Sequence, residues 1–177
     1  MKITKRVLIG IAIFILILLQ VGLFLPHGFR YERSVWIDSS PEAIFPYINN
    51  LQNWGKWISW NKEKDPFFAA SYAETVEGEG AVINWKSKKW GEGSIEIMLS
   101  IENRLITYDK ILQDEGFKTN GKIELIEFEG GTSVNWVEEG DFGYNIAGRY
   151  LGLIMDSFEG KKLQNSLLNL KEISENK

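Results

Sequence analysis

The sequence predicts an α+β protein: an antiparallel sheet of about seven strands, followed by a long C-terminal helix and preceded by one transmembrane helix. Three observations predict it. Residues 7–25 carry no charge, short apolar segments separated by turn residues follow, and from Tyr144 apolar residues recur at helical spacing. We therefore divide the chain into an N-terminal anchor with its flanks, residues 1–28, and one domain, residues 29–177.

The anchor is a run of 19 residues, 7–25, which is long enough to cross a bilayer. Its Leu, Ile, Val and Phe side chains each favour insertion by about 0.3 to 0.6 kcal/mol, which together outweighs the cost of Gln20. A cleaved signal peptide is the main alternative. Its apolar region is usually shorter, however, and no small-residue cleavage site follows Leu25. We expect a retained, membrane-spanning anchor.

The charges beside the anchor predict its orientation. Lys2, Lys5 and Arg6 precede it closely, whereas Arg30 and Arg33 follow it at a greater distance. Because positive residues favour the cytoplasmic side, we expect a cytoplasmic N-terminus and a domain outside the cytoplasm. The absence of cysteine is compatible with this placement.

Composition excludes one class of partner. Without the three basic residues of the N-terminus, the chain has 17 basic and 24 acidic side chains, a net charge of −7. A nucleic-acid surface needs a basic footprint, so we expect no nucleic-acid partner.

The domain opens on a strand that runs directly into a helix. After a linker, residues 26–33, Val35 and Ile37 alternate with polar or outward residues, and Pro41 begins a helix with a buried apolar stripe. A tryptophan-rich turn follows, with Trp54, Trp57 and Trp60 three residues apart. These tryptophans could gate a cavity, lie at lipid headgroups or fill the core of the turn, and the core interpretation is favoured.

Turn residues divide the middle of the chain into six further strands. Glycine with Asn, Asp or Glu marks the turns, because these residues suit hairpins. Ile95, Ile97, Leu99 and Ile101 alternate with Ser94, Glu96, Met98 and Ser100, as in a sheet covered on one face. The predicted strands are 69–76, 81–87, 93–102, 105–112, 117–128 and 132–141.

A long helix is predicted from about Tyr144 to Ile173. Gly148, Gly152 and Gly160 weaken it by up to about 1 kcal/mol each relative to alanine. Their presence is explained by a close approach to the sheet, by mobility over a cavity, or simply by tolerant packing.

The sequence offers few groups for catalysis, and we assign no catalytic residue, no metal site and no cofactor. His27 is the single histidine and there is no cysteine, so the usual zinc and nucleophile systems cannot be assembled. Glu138 shares a strand face with Trp136, and burial there would raise its pKa. An ion pair with Arg149 or a solvated strand end is the expected role of Glu138.

Several of these segments, taken together, resemble a known family. Asp38-Ser-Ser-Pro-Glu before an Ile-Phe helix, the Gly80 to Trp85 strand and the Gly140 to Arg149 segment resemble the polyketide cyclase-like branch of the START/Bet v 1-like (SRPBCC) superfamily. The resemblance implies a helix-grip fold, a curved antiparallel sheet around a long C-terminal helix with an apolar cavity between them. It implies no single activity.

The resulting functional prediction is a membrane-anchored module that binds a small hydrophobic molecule or lipid in this cavity. The alternatives are a protein-interaction module without a ligand cavity, whose partner is unknown, and a cyclase-like acid/base enzyme. Aromatic walls with a few polar tips suit a small apolar ligand. The predicted ligand contacts are Trp57, Trp60, Trp85, Tyr108, Trp136, Tyr150 and Ile154.

Overall fold

The computed structural model describes residues 2–58, 65–113 and 117–176. It confirms the α+β class, the seven strands and the apolar N-terminal helix. Trp60 and the turn predicted at 114–116 lie outside the described residues. In chain order the elements are α1 (Lys2–Phe24), β1 (Gly28–Ile37), α2 (Pro41–Asn49), a 3₁₀ turn (Leu51–Asn53), α3 (Trp54–Trp57), β2 (Ala69–Tyr72), β3 (Val82–Ser87), β4 (Gly91–Ile101), β5 (Leu105–Leu112), β6 (Phe117–Phe128), β7 (Gly131–Asp141), α4 (Ile146–Met155), a π-helical turn (Asp156–Gly160) and α5 (Lys161–Glu175).

The strands form one curved antiparallel sheet with the order β1-β7-β6-β5-β4-β3-β2. Strands β2 to β7 follow one another as neighbours, and β1 closes the row by pairing with β7. Backbone with positive φ makes two of the hairpins tight, at Asn103 between β4 and β5 and at Glu129-Gly130 between β6 and β7. The chain therefore builds a wide inner face from consecutive hairpins.

Strand β1 is longer than the sequence predicts, because it begins at Gly28 and includes most of the predicted linker. Phe29 and Tyr31 are buried on the inner face. Arg30 lies on the outer side, where its guanidinium bonds Glu32 and Glu139. These charges obscure the alternation in the sequence, so the linker prediction is wrong for this segment.

The core lies between the inner face of the sheet and helices α2, α3 and α5. Ile44 and Ile48 of α2, Trp57 of α3, and Leu167 and Leu170 of α5 are fully buried. Burying a side chain of this size stabilises the fold by about 1.5 to 3 kcal/mol. The core interpretation is confirmed for Trp54 and Trp57, which contact each other with ring centroids 5.6 Å apart.

The predicted C-terminal helix is present, but a π-helical turn interrupts it and α5 extends to Glu175. A Cβ atom at Gly160 would collide with the guanidinium of Arg33, which pairs with Asp156 at 2.8 Å. A Cβ atom at Gly148 would collide with the ring of Phe142. Close approach to β1 therefore accounts for Gly160, and close approach to the loop after β7 accounts for Gly148.

Helix α1 is the one helix in the described part of the chain that is long and apolar enough to span a membrane, over Thr4–Phe24. Its C-terminal end contacts α4. The guanidinium of Arg149 donates to the carbonyl oxygen of Leu23 at 2.9 Å, and the hydroxyl of Tyr150 donates to that of Leu18 at 2.7 Å. The domain is therefore held to α1 by side chains of α4 as well as by the chain connection.

Candidate functional site

A cavity of about 520 Å³ lies between the inner face of the sheet and the segment from α4 to α5. A second cavity of about 220 Å³ adjoins it, since Trp90, Lys110 and Lys162 line both. The larger cavity falls within the size range of small-molecule sites.

The wall of the larger cavity is mainly apolar. Strands and the loop after β7 contribute Trp85, Phe117 and Phe142, while α4 and the π-helical turn contribute apolar side chains from the opposite side. Those from the helical side are Leu151, Ile154, Met155 and Phe158. Such a wall suits a ligand with a substantial apolar part.

A row of residues across four strands builds the polar floor between the two cavities. Tyr31 of β1 is opposite Glu138 of β7, Glu138 is opposite Gly121 of β6, and Gly121 is opposite Tyr108 of β5. A Cβ atom at Gly121 would collide with the ring of Tyr108. Because Gly121 has no side chain, the ring of Tyr108 can lie across Gly121. The hydroxyl of Tyr108 then reaches the carboxylate of Glu138.

Glu138 accepts hydrogen bonds from three side chains. The hydroxyls of Tyr31 and Tyr108 donate to its carboxylate at 2.7 and 2.5 Å, and the ammonium of Lys110 donates to it as well. The indole of Trp136 donates to the hydroxyl of Tyr108 at 2.8 Å. Glu138 is 2% exposed and Lys110 is 8% exposed, so this is a buried ion pair with its polar atoms satisfied.

The environment shifts the pKa values of these groups in opposite directions. Burial raises the pKa of Glu138, but the charge of Lys110 and the three hydrogen bonds outweigh burial and hold the pKa below its usual value. Burial, followed by the charge of Glu138, raises the pKa of Tyr31 and Tyr108. At neutral pH Glu138 is therefore a carboxylate, and Tyr31 and Tyr108 are neutral hydroxyl donors to it.

This arrangement is better suited to fixing a polar group than to moving a proton. A general base works best with a pKa near the operating pH, and the pKa of Glu138 lies on the acidic side. Within residues 2–58, 65–113 and 117–176, no group of three His, Cys, Asp or Glu side chains could hold a metal ion.

Thr119 adds a polar group to the wall of the larger cavity. Thr119 is 2% exposed, and its hydroxyl is buried without a hydrogen-bond partner. An unpartnered buried hydroxyl is rare because it costs about 1 to 3 kcal/mol. A ligand in the cavity would offer this hydroxyl a partner.

The structure brings three of the predicted ligand contacts to the cavities. Trp85 and Ile154 line the larger cavity, and Trp136 lines the smaller one. Ligand contact by these three side chains stays a prediction.

The other predicted contacts lie elsewhere among the described residues, or outside them. Trp57 is buried in the core, with its indole donating to the carbonyl oxygen of Tyr47. Tyr108 lies beneath the cavities and contacts Glu138. Tyr150 points toward α1 instead of the cavity. Trp60 is not among the residues that the structure describes.

The predicted ion pair between Glu138 and Arg149 is wrong, because the guanidinium of Arg149 bonds backbone carbonyl oxygens near the end of α1 and at Gly143. Tyr31, Lys110 and Thr119 also belong to the site, although the sequence pattern did not predict them. For Lys110 the sequence contains a signal of burial, since alternation in β5 puts this lysine on the same face as Tyr108.

The sheet, the C-terminal helix and the cavity between them define a helix-grip protein with an internal ligand-sized site. The family model described as polyketide cyclase / dehydrase and lipid transport matches residues 28–175. The chain belongs to this family. The match begins after α1.

Several solved structures of low sequence identity share the fold of this chain. The Aha1 dimer from Colwellia psychrerythraea is 16% identical, with a TM-score of 0.58 over 83% of this chain and 96% of that one. Protein CV1439 from Chromobacterium violaceum is 18% identical, with a TM-score of 0.55 over 85% and 99%. The di-domain ARO/CYC BexL from the BE-7585A biosynthetic pathway is 13% identical, with a TM-score of 0.62 over 85% and 51%. No curated protein matches the chain.

Proposed function

We propose that this protein is a membrane-anchored binding module for a small molecule with a large apolar part, such as a lipid or lipid-like compound. The observation that carries the proposal is the cavity of about 520 Å³, with apolar walls and a buried polar cluster beside it. Family membership supports the same conclusion, because the family includes lipid transport.

The lining of the cavity favours one orientation of the ligand, with its apolar part and its polar end at different sides of the cavity. Apolar atoms pack against Trp85, Phe117 and Ile154, while a polar end approaches Thr119 and Lys110. The ammonium only donates and the hydroxyl can donate as well, so an acceptor oxygen at the polar end can bond both groups. The ligand class is thus an apolar molecule that bears a carbonyl, carboxylate or similar acceptor.

Anchoring by α1 completes the proposal. Thr4–Phe24 is long and apolar enough to span a bilayer, and little of it is buried against the domain. We assign the N-terminus to the cytoplasm and the domain to the other side on the basis of the flanking charges.

Binding can be tested with the full chain in lipid nanodiscs and a brominated fatty acid, which quenches tryptophan fluorescence at short range. We expect saturable quenching that becomes smaller in Trp85→Phe and in Trp136→Phe. Trp36→Phe is the control, because Trp36 is half exposed on β1 and lines neither cavity. Quenching that does not saturate, or that falls equally in the control, would contradict a ligand site in the cavity.

Thr119→Val tests the polar end of the site. The variant removes an unpartnered hydroxyl and keeps the side-chain volume, so stability should not fall, while affinity for the fatty acid falls by up to about tenfold. Ser174→Ala is matched, since it also removes a buried unpartnered hydroxyl but outside the cavities. Equal affinities in all three proteins would exclude Thr119 from the site.

An acid/base enzyme is the second candidate, because the cluster of Glu138, Lys110 and the tyrosines borders the cavity. The lowered pKa of Glu138 disfavours it. Conversion of a bound polyketide-like substrate by the wild type, abolished in a folded Glu138→Gln variant, would establish the enzyme instead of the binder.

A further inference from the structure

Helix α4 and the π-helical turn present an exposed apolar surface. Leu151, Ile154 and Phe158 recur at helical spacing and are 54%, 47% and 62% exposed, and the adjacent Leu153 is 59% exposed. Large apolar side chains grouped on one face of a helix indicate an interaction surface.

The part of this segment that carries Leu151, Leu153 and Ile154 is almost free of charge, and charged residues resume at Asp156, which pairs with Arg33 at 2.8 Å. From Phe142 to Met155 the one ionisable group with a full charge is Arg149, which is buried and donates to the backbone carbonyl oxygens of Leu23 and Gly143. A charge satisfied in this way is not presented to the surroundings. This part of the segment is therefore compatible with a hydrocarbon environment, which penalises unsatisfied polar groups.

Helix α4 also lies beside the apolar span of α1. Ile146 packs close to Gly22, and the hydroxyl of Tyr150 bonds the carbonyl oxygen of Leu18 at 2.7 Å. Leu18 precedes Leu25 by seven residues, or about 10 Å along a helix that rises about 1.5 Å per residue. Side chains of α4 thus reach a level of α1 that is inside its apolar span.

We propose that the exposed apolar face of α4 and the π-helical turn, defined by Leu151, Leu153, Ile154 and Phe158, lies in the lipid bilayer beside α1. This inference rests on the proposed anchoring by α1. Three of these residues also line the larger cavity, so its opening faces the hydrocarbon. An apolar ligand then passes between bilayer and cavity without crossing water, and the lipid phase is its source.

The experiment uses single cysteines, since the chain has none of its own. The full chain carries Leu153→Cys, Ile13→Cys or Ser71→Cys, each labelled with bimane and reconstituted in phosphatidylcholine vesicles. Ile13 is exposed within the apolar span of α1, and Ser71 is exposed on β2 at the far edge of the sheet. Brominated phospholipid quenches labels in the hydrocarbon, and iodide quenches labels in water.

We expect the label at Leu153 to lose as much fluorescence to brominated lipid as the label at Ile13, while the label at Ser71 responds to iodide alone. Quenching by iodide at Leu153, with lipid quenching kept at Ile13, would overturn the inference and leave the anchor in place. Protection of the Leu153 label from both quenchers would also overturn it, because a protein then covers the surface. Absence of lipid quenching at Ile13 would overturn the anchoring and this inference together.

Discussion

Glu138 organises the polar part of the site because it receives three donors at once. Tyr31 comes from β1, Tyr108 and Lys110 come from β5, and each contributes a hydrogen bond to the same carboxylate. Removing one partner of a buried ion pair leaves the other charge uncompensated, which is costly. The two predictions that follow at this scale concern the stability that the pair contributes.

Glu138→Gln should lower the free energy of unfolding by about 3 to 5 kcal/mol, because the ammonium of Lys110 stays buried without its counter-charge. Urea denaturation measures the change. Glu124→Gln is the control, since Glu124 pairs with Lys122 at a partly exposed site and its loss should cost about 0 to 1 kcal/mol. The double variant Lys110→Met/Glu138→Leu should lose less stability than the sum of the losses measured for Lys110→Met alone and Glu138→Leu alone. Additive losses would contradict the pairing.

The stability contributed by Glu138 should depend on pH in the acidic range. Its pKa is lower in the folded state than its ordinary value of 4.5, so the contribution is fully present above that value and is lost as the pH falls below it. The stability difference between wild type and Glu138→Gln should therefore shrink below about pH 4.5. Comparing the two proteins cancels the titration of the exposed carboxylates. A difference that stays constant on acidification would refute this assignment.

At the scale of elements, strand register positions the cluster. The row from Tyr31 through Glu138 and Gly121 to Tyr108 exists because β1, β7, β6 and β5 pair in one fixed register. Shifting one strand by a single residue would turn its inward side chains to the outer face. Gly121 is the position where this arrangement is most sensitive to added volume.

Gly121→Ala should destabilise the sheet by about 1 to 3 kcal/mol, because its new Cβ atom collides with the ring of Tyr108. Gly28→Ala is the matched control in β1, where the nearest atom to the added Cβ is the carbonyl oxygen of Gly140 at an ordinary 3.6 Å. Thermal or urea unfolding of both variants checks the difference. Equal stabilities would mean that the ring of Tyr108 moves freely away from Gly121.

The local sequence pattern predicts the strands, whereas the contacts of Glu138 and the π-helical turn depend on residues that are far apart in the sequence. Alternation and turn residues give β5 and β6 their observed bounds, and they place Trp85 and Trp136 on the inner face. The partner of Glu138 depends on which strands become neighbours, and this information is absent from any local segment. The π-helical turn is likewise a place of long-range contact, since Arg33 of β1 pairs with Asp156 and lies against Gly160.

For the whole molecule, the domain and α1 make separate contributions. The residues of the hydrophobic core begin at Phe29, so the core is formed without α1. The family match also begins only at residue 28. The contacts that α1 makes with α4 are hydrogen bonds from Arg149 and Tyr150 together with packing at Gly22. The fold of the domain should therefore be independent of the anchor, whereas the position of α4 relative to the bilayer depends on it.

Removing residues 1–26 should leave a folded domain and release it from the membrane. The truncated chain keeps His27, whose carbonyl oxygen accepts from the backbone of Phe142 at 2.8 Å, and Arg149 keeps its bond to Gly143. The lost contacts should cost no more than about 3 kcal/mol, because water replaces the missing carbonyl partners of Arg149.

Alkaline carbonate extraction and urea denaturation measure these two effects. The full chain should stay in the membrane pellet, while the truncated chain should appear in the soluble fraction and unfold cooperatively. Recovery of the intact full chain in the carbonate supernatant would contradict a spanning α1. A truncated chain that unfolds without a cooperative transition would show that the domain needs α1 to fold. The contacts of Arg149 and Tyr150 with α1 would then be necessary for the stability of the domain.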